Sequence, residues 1–149
     1  MSKFEELCQA YANARKEYLE SIQMRQDFID AFVRKMSDYF QCAIEQTDVT
    51  LDDRGIMHFN LLMILYENPN LPEKSTSETV SISLTLEKII DNYIISIFPW
   101  GKDFKLFWDE FNKFEEVYDF IFEKIQDYYL SGISELSSEH RTINLGWEF

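Results

Sequence analysis

Glycine, proline, cysteine and histidine are all scarce in this chain: four, three, two and two among 149 residues. The shortage of glycine and proline argues against a disordered or loop-dominated polypeptide, because few positions are available to break regular structure. Cys8 and Cys42 lie 34 positions apart in what reads as one helical pattern. Two thiols so placed on a straight helix cannot meet, so both are expected to be free, as in a reducing cytoplasm. No run approaches the roughly 18 uncharged residues that a membrane span requires. The opening Met1-Ser2-Lys3-Phe4-Glu5-Glu6 has no apolar signal core, which leads to the expectation of a cytoplasmic protein with no membrane partner.

The two histidines leave little for acid–base chemistry near neutrality. His58 stands between Met57 and Phe59 in an apolar run and reads as a hydrogen-bonded sheet histidine. His140 lies beside Glu139 and Arg141 and reads as solvated. Neither cysteine carries the local signature of a thiol nucleophile. Asp48, Asp52 and Asp53 suggest a calcium loop only superficially, since the alternating ligands, central glycine and closing glutamate are missing. Zinc spacing, a glycine-rich phosphate loop and a nucleophile elbow are also lacking. The expectation is a protein that is not an enzyme, with no catalytic residues, no metal and no cofactor.

What the chain does have is apolar bulk and negative charge. An apolar content of 46%, with 16% aromatic residues, over 149 residues suits one domain around one core. The net charge of −13 is uneven: residues 108–149 hold 10 acidic against 3 basic side chains, over half of the excess. Such a surface repels phosphate backbones and anionic lipids, so direct nucleic-acid binding is not expected and a basic protein partner is.

From Lys3 to about Gln46 there is neither glycine nor proline, and Phe4, Leu7, Tyr11, Ala14, Tyr18, Ile22, Phe28, Ile29, Phe32, Met36, Tyr39, Phe40 and Ala43 recur at helical spacing. A continuous helix of that length spans roughly 60 Å, about twice the width of a compact domain of this mass. It must therefore bend near Ser21 or project, and the lack of a breaker favours projection, with burial of the surplus in a homodimer through the N-terminal helix. Arg15 and Arg25 fall inside the stripe, either snorkelling at its edge or pairing with acids on a partner helix.

The period then changes. Asp52-Asp53-Arg54-Gly55 reads as a turn, and Ile56–Tyr66 as a dense apolar strand suited to the centre of a sheet. Residues 67–78 form a polar loop. Val80, Ile82, Leu84 and Leu86 alternate with Ser81, Ser83 and Thr85 as a strand wet on one face; Asp91-Asn92 turns the chain, and Tyr93–Phe98 returns. From Phe104 to Tyr128 helical spacing resumes, with Asp103 as a candidate cap and Gly132 as a stop. Ile143-Asn144-Leu145 could add an edge strand, and residues 137–149 otherwise read as a flexible tail. The predicted fold is a single α+β domain: a long N-terminal helix, a three-stranded antiparallel meander and a long C-terminal helix.

With Tyr118 at the centre of the buried side of the second helix, a rotation of 100° per residue sets Asp109, Glu116, Glu123 and Asp127 on the far side, with Phe120 among them at about 200°. An aromatic ringed by acids has the anatomy of a binding hot spot; the plainer reading is that Phe120 packs on the C-terminal tail or another element. Trp147, with Phe149 two residues on, is a second candidate, either docked on its own domain or hooking a partner. The expected function is an acidic inhibitor, of the immunity or anti-defence kind, that occludes a basic nucleic-acid-handling protein. A secretion-type chaperone or assembly adaptor and a dimeric structural component are the alternatives.

Overall fold

The computed structural model describes residues 1–107, 110 and 112–131 and, as backbone, residues 140–144. The elements run α1 (Lys3–Phe40), β1 (Glu45–Leu51), β2 (Met57–Tyr66), a short 3-10 turn (Pro72–Lys74), β3 (Ser77–Ile89), β4 (Asn92–Phe98), β5 (Lys102–Leu106), α2 (Asn112–Leu130) and β6 (His140–Asn144). The α+β class expected from the sequence holds, but the sheet has six strands where three were expected.

Helix α1 is continuous over 38 residues. Ser2 caps it from an extended backbone, its Oγ accepting the Glu5 N–H at 3.1 Å, and Glu5 and Glu6 place negative charge at the positive end of the helix dipole. It ends at Phe40 rather than near Gln46 because Gln41 turns left-handed (φ 54°), closing the last turn with a bond from its N–H to Ser37 O. Beyond that stop, Thr47, Val49 and Thr50 supply the β-branched side chains of β1, which pairs antiparallel with β2 through a register shift between Thr47 and Thr50.

Strands β1 to β5 form an antiparallel meander in chain order. Strand β3 is longer than its neighbour: β4 pairs along Ser83–Ile89, while β6 pairs parallel along Ser77–Ser81. The sheet therefore forks, one long strand supporting two short ones on the same edge.

Both helices lie on one face of this sheet. Phe28, Ile29, Phe32 and Met36 of α1 and Phe114, Val117, Tyr118, Ile121, Ile125 and Tyr128 of α2 join alternate residues of β2, β3 and β4 in one cluster. Tyr118 reaches across to donate its hydroxyl to Phe32 O at 2.7 Å, and its ring lies 5.1 Å from that of Phe32. Among the described residues the helices cover one face, and β2 is half-exposed, contrary to its dense apolar pattern: Met57, Phe59, Leu61 and Met63 are buried while His58 and Ile64 face out.

The expected helix start at Phe104 is also corrected. Lys102–Leu106 pairs with β4 as an edge strand, so Asp103 caps nothing and instead accepts a hydrogen bond from Ser96 Oγ across the ladder. Among the described residues, no helix is long and apolar enough to cross a membrane.

Candidate protein-binding surface

The buried arc of α2 sets what its outer face can present. Phe114, Val117, Tyr118, Ile121, Ile125 and Tyr128 are buried, so Tyr118 stands at one margin of the buried arc, about 50° from its centre. The opposite side carries Glu115, Glu116, Asp119, Glu123 and Asp127, all exposed, within an arc of about 120°. Glu116, Glu123 and Asp127 are thus the outward acids that the sequence indicated, joined by Glu115 and Asp119. Asp109 and Trp147, also candidates from the sequence, lie outside the described residues.

Phe120 is on the flank of this face and half-buried, packed edge-on against Trp100 at 5.8 Å and Phe104 at 5.7 Å. Lys124 lies over both Trp100 and Phe120, 5.5 and 5.4 Å from the ring centroids. Lys113 lies 5.8 Å over Phe107 and pairs with Glu110 at 3.2 Å. Both lysines of α2 are thereby drawn to one side, each ammonium held by a ring quadrupole, and the acidic face is left without a neutralising cation of its own helix. Two exposed apolar side chains share this face: Phe122 at the margin of the acids, 47% exposed, and Leu130 in the last turn, 77% exposed.

Tyr39, near the end of α1, borders the same face and donates its hydroxyl to Asp119 Oδ1. That bond, with lesser contributions from burial and from the negative charges of Asp119 and Glu115, pushes the phenol up to about 12. Beside it, Lys35, Tyr39 and Glu115 line a groove of about 490 Å³ between the two helices.

Comparison with protein-family models, with curated proteins and with solved structures finds no match. The side chains themselves must carry any assignment.

His58 and Asp52 are joined at the β1–β2 turn. His58 Nε2 lies 3.0 Å from Asp52 Oδ2, while Asp52 Oδ1 accepts the N–H groups of Arg54 and Ile56, each at 2.9 Å. The His58 bond first, and the backbone bonds with it, hold the Asp52 carboxyl down at about 2. Asp52 thereby organises the β1–β2 turn, in which Gly55 adopts φ 81°, a conformation that L side chains rarely take. Cys8 is exposed, and Cys42 is half-buried with its thiol pKa raised by desolvation, the opposite of nucleophile activation. Among the described residues no group of three or more His, Cys, Asp or Glu side chains could hold a metal ion.

Two other surfaces are present among the described residues. On the sheet face away from the helices, hydroxyls of Thr79, Ser83, Thr85 and Ser96 alternate with the core residues, interspersed with Ile64 and Phe98; Ser83 Oγ donates to Asn60 Oδ1 at 2.9 Å. The third is the first half of α1, where every residue from Met1 to Glu20 is exposed.

Proposed function

We propose that this protein is a non-enzymatic acidic binding module, an inhibitor of the immunity or anti-defence kind, which occludes a basic surface on a nucleic-acid-handling protein partner. The observation that carries this reading is the outer face of α2: five exposed carboxylates at helical spacing, with both lysines of that helix turned aside onto aromatic rings. Carboxylates in such a row imitate the phosphates that a cationic groove is built to hold. Phe122 at their margin supplies an apolar anchor that leaves water on docking, and the surrounding acids steer the encounter. The scale of the charge, −13 over the chain, disfavours nucleic acid itself as the ligand, and a cytoplasmic location beside the partner's substrate completes the reading.

The test is affinity capture of the tagged protein from nuclease-treated source lysate, with graded salt washes and mass spectrometry of what is released. A stoichiometric basic protein eluting as salt rises supports the reading; a captured client that survives molar salt overturns it. That second outcome belongs to a secretion-type chaperone or adaptor, a reading favoured by the sheet face away from the helices, where exposed Ile64 and Phe98 sit among hydroxyls that could hold an extended segment.

A further inference from the structure

The first half of α1 has the form of a coiled-coil seam that the chain does not itself fill. Phe4, Leu7, Tyr11, Ala14 and Tyr18 are spaced three, four, three and four apart, the a/d repeat that keeps one face turned toward another helix. Phe4, Leu7, Tyr11 and Tyr18 are 74, 70, 68 and 51% exposed. The same stripe continues past Ile22 into Ile29, Phe32 and Met36, which are fully buried on the sheet, so the helix leaves its own domain with its apolar face still outward. In proteins most helical stability comes from packing of an amphipathic face, and among the described residues nothing buries this one.

We propose that the occupant is a second copy of this chain, the two arms pairing antiparallel to give a homodimer. Area is the first argument. The four large side chains expose roughly 500 Å² of apolar surface, and with the flanking alanine and arginine stems the arm approaches the about 800 Å² per partner of a stable interface. Charge is the second. Residues 1–20 carry four acidic and three basic side chains, net −1, so −12 of the chain's −13 belongs to the rest. The arm is therefore where two copies meet without pressing acid against acid, and it offers a basic partner nothing. Orientation follows from the same charge: parallel arms would bring two strongly acidic bodies side by side. Antiparallel arms hold them about 30 Å apart, several screening lengths at physiological salt. This dimer leaves the α2 face uncovered and does not depend on what that face binds.

Light scattering after gel filtration at tens of micromolar should give twice the 17.9 kDa of the chain. Tyr11→Glu, and separately Leu7→Glu, should return it to a single chain's mass while leaving the denaturation midpoint of the monomeric body unchanged. A monomeric wild-type protein, or a dimer that both substitutions leave intact, would overturn the proposal. Spin labels on Lys3→Cys, in a chain also carrying Cys8→Ser and Cys42→Ser, should lie roughly 20 Å or more apart across the dimer. A separation near about 10 Å, the distance between neighbouring parallel helices, would overturn the antiparallel arrangement.

Discussion

Phe4 and Phe32 belong to one helix and one apolar stripe, yet the structure assigns them opposite weights in stability. Phe32 is fully buried, its ring 5.8 Å from Phe114 and 5.1 Å from Tyr118, and its carbonyl accepts the Tyr118 hydroxyl. Truncation to alanine removes the transfer free energy of the ring and leaves a cavity between α1 and α2, a loss of about 3–5 kcal/mol. The two lost ring contacts place Phe32→Ala toward the upper end of that range. Against a total stability of about 5–15 kcal/mol this is a large fraction. With an m-value of about 2 kcal/mol/M it lowers the urea midpoint by about 2 M. Phe4 is 74% exposed on the arm, and Phe4→Ala should shift the midpoint by less than about 0.25 M when the protein is dilute enough to be monomeric. Equilibrium urea unfolding followed by tryptophan fluorescence and circular dichroism measures both. Comparable shifts for the two variants, or a loss below about 1.5 kcal/mol for Phe32→Ala, would refute the division of α1 into an anchored half and a projecting arm.

Tyr39, whose phenol is pushed up to about 12 by its bond to Asp119, should titrate well above the ordinary 10.0 in absorbance-detected titration, and Asp119→Asn should bring it back toward that value. Because the folded-state value is raised, the contribution to stability is fully present below pH 10.0 and is lost as pH rises through about 12; a Tyr39 titrating near 10 in the wild type would contradict the bond. Ile90 is the first of two residues in the β3–β4 turn, with φ 56° and 84% exposure. That position of a type II′ turn suits glycine, and a β-branched residue there is strained. Ile90→Gly should relieve roughly 1–2 kcal/mol of strain against about 0.5–1 kcal/mol of added chain entropy, raising Tm by a few degrees. A lower Tm in calorimetry would mean that the exposed isoleucine makes a stabilising contact.

The parts of the fold legible in the sequence are those where one signal acted alone. Alternation of Val80, Ile82, Leu84 and Leu86 with serines and threonines marks β3, and the lack of glycine and proline marks α1, because each pattern coincides with one buried face. Strand β5 was hidden because Phe104 and Phe107 stand three and four residues apart with Phe111 and Phe114, so four aromatics read as one helical stripe. In the structure Phe104 reaches α2 from the sheet edge, packing on Phe120. Strand β1 was hidden because Glu45–Leu51 has only a short, polar β-branched run, and its stop signal is a left-handed Gln41 rather than a glycine. At the candidate site, the acids Glu116, Glu123 and Asp127 were legible, since charge faces outward wherever the axis is drawn. The aromatic was not. Measured from Tyr118, Phe120 falls opposite the buried face; the buried arc is centred about 50° away, Phe120 packs on Trp100 and Phe104 as the plainer reading had it, and Phe122, which the sequence reading did not single out, is left at the surface.

The acidic face of α2 is proposed to steer a basic partner, and the association rate of the captured partner with wild type and with Glu116→Lys/Glu123→Lys tests that most directly. Both positions are exposed, so the substitutions leave the core untouched. Stopped-flow association at low and physiological salt should be slowed severalfold by the double reversal, with the difference shrinking as salt rises. An unchanged association rate at low salt would contradict the proposed function.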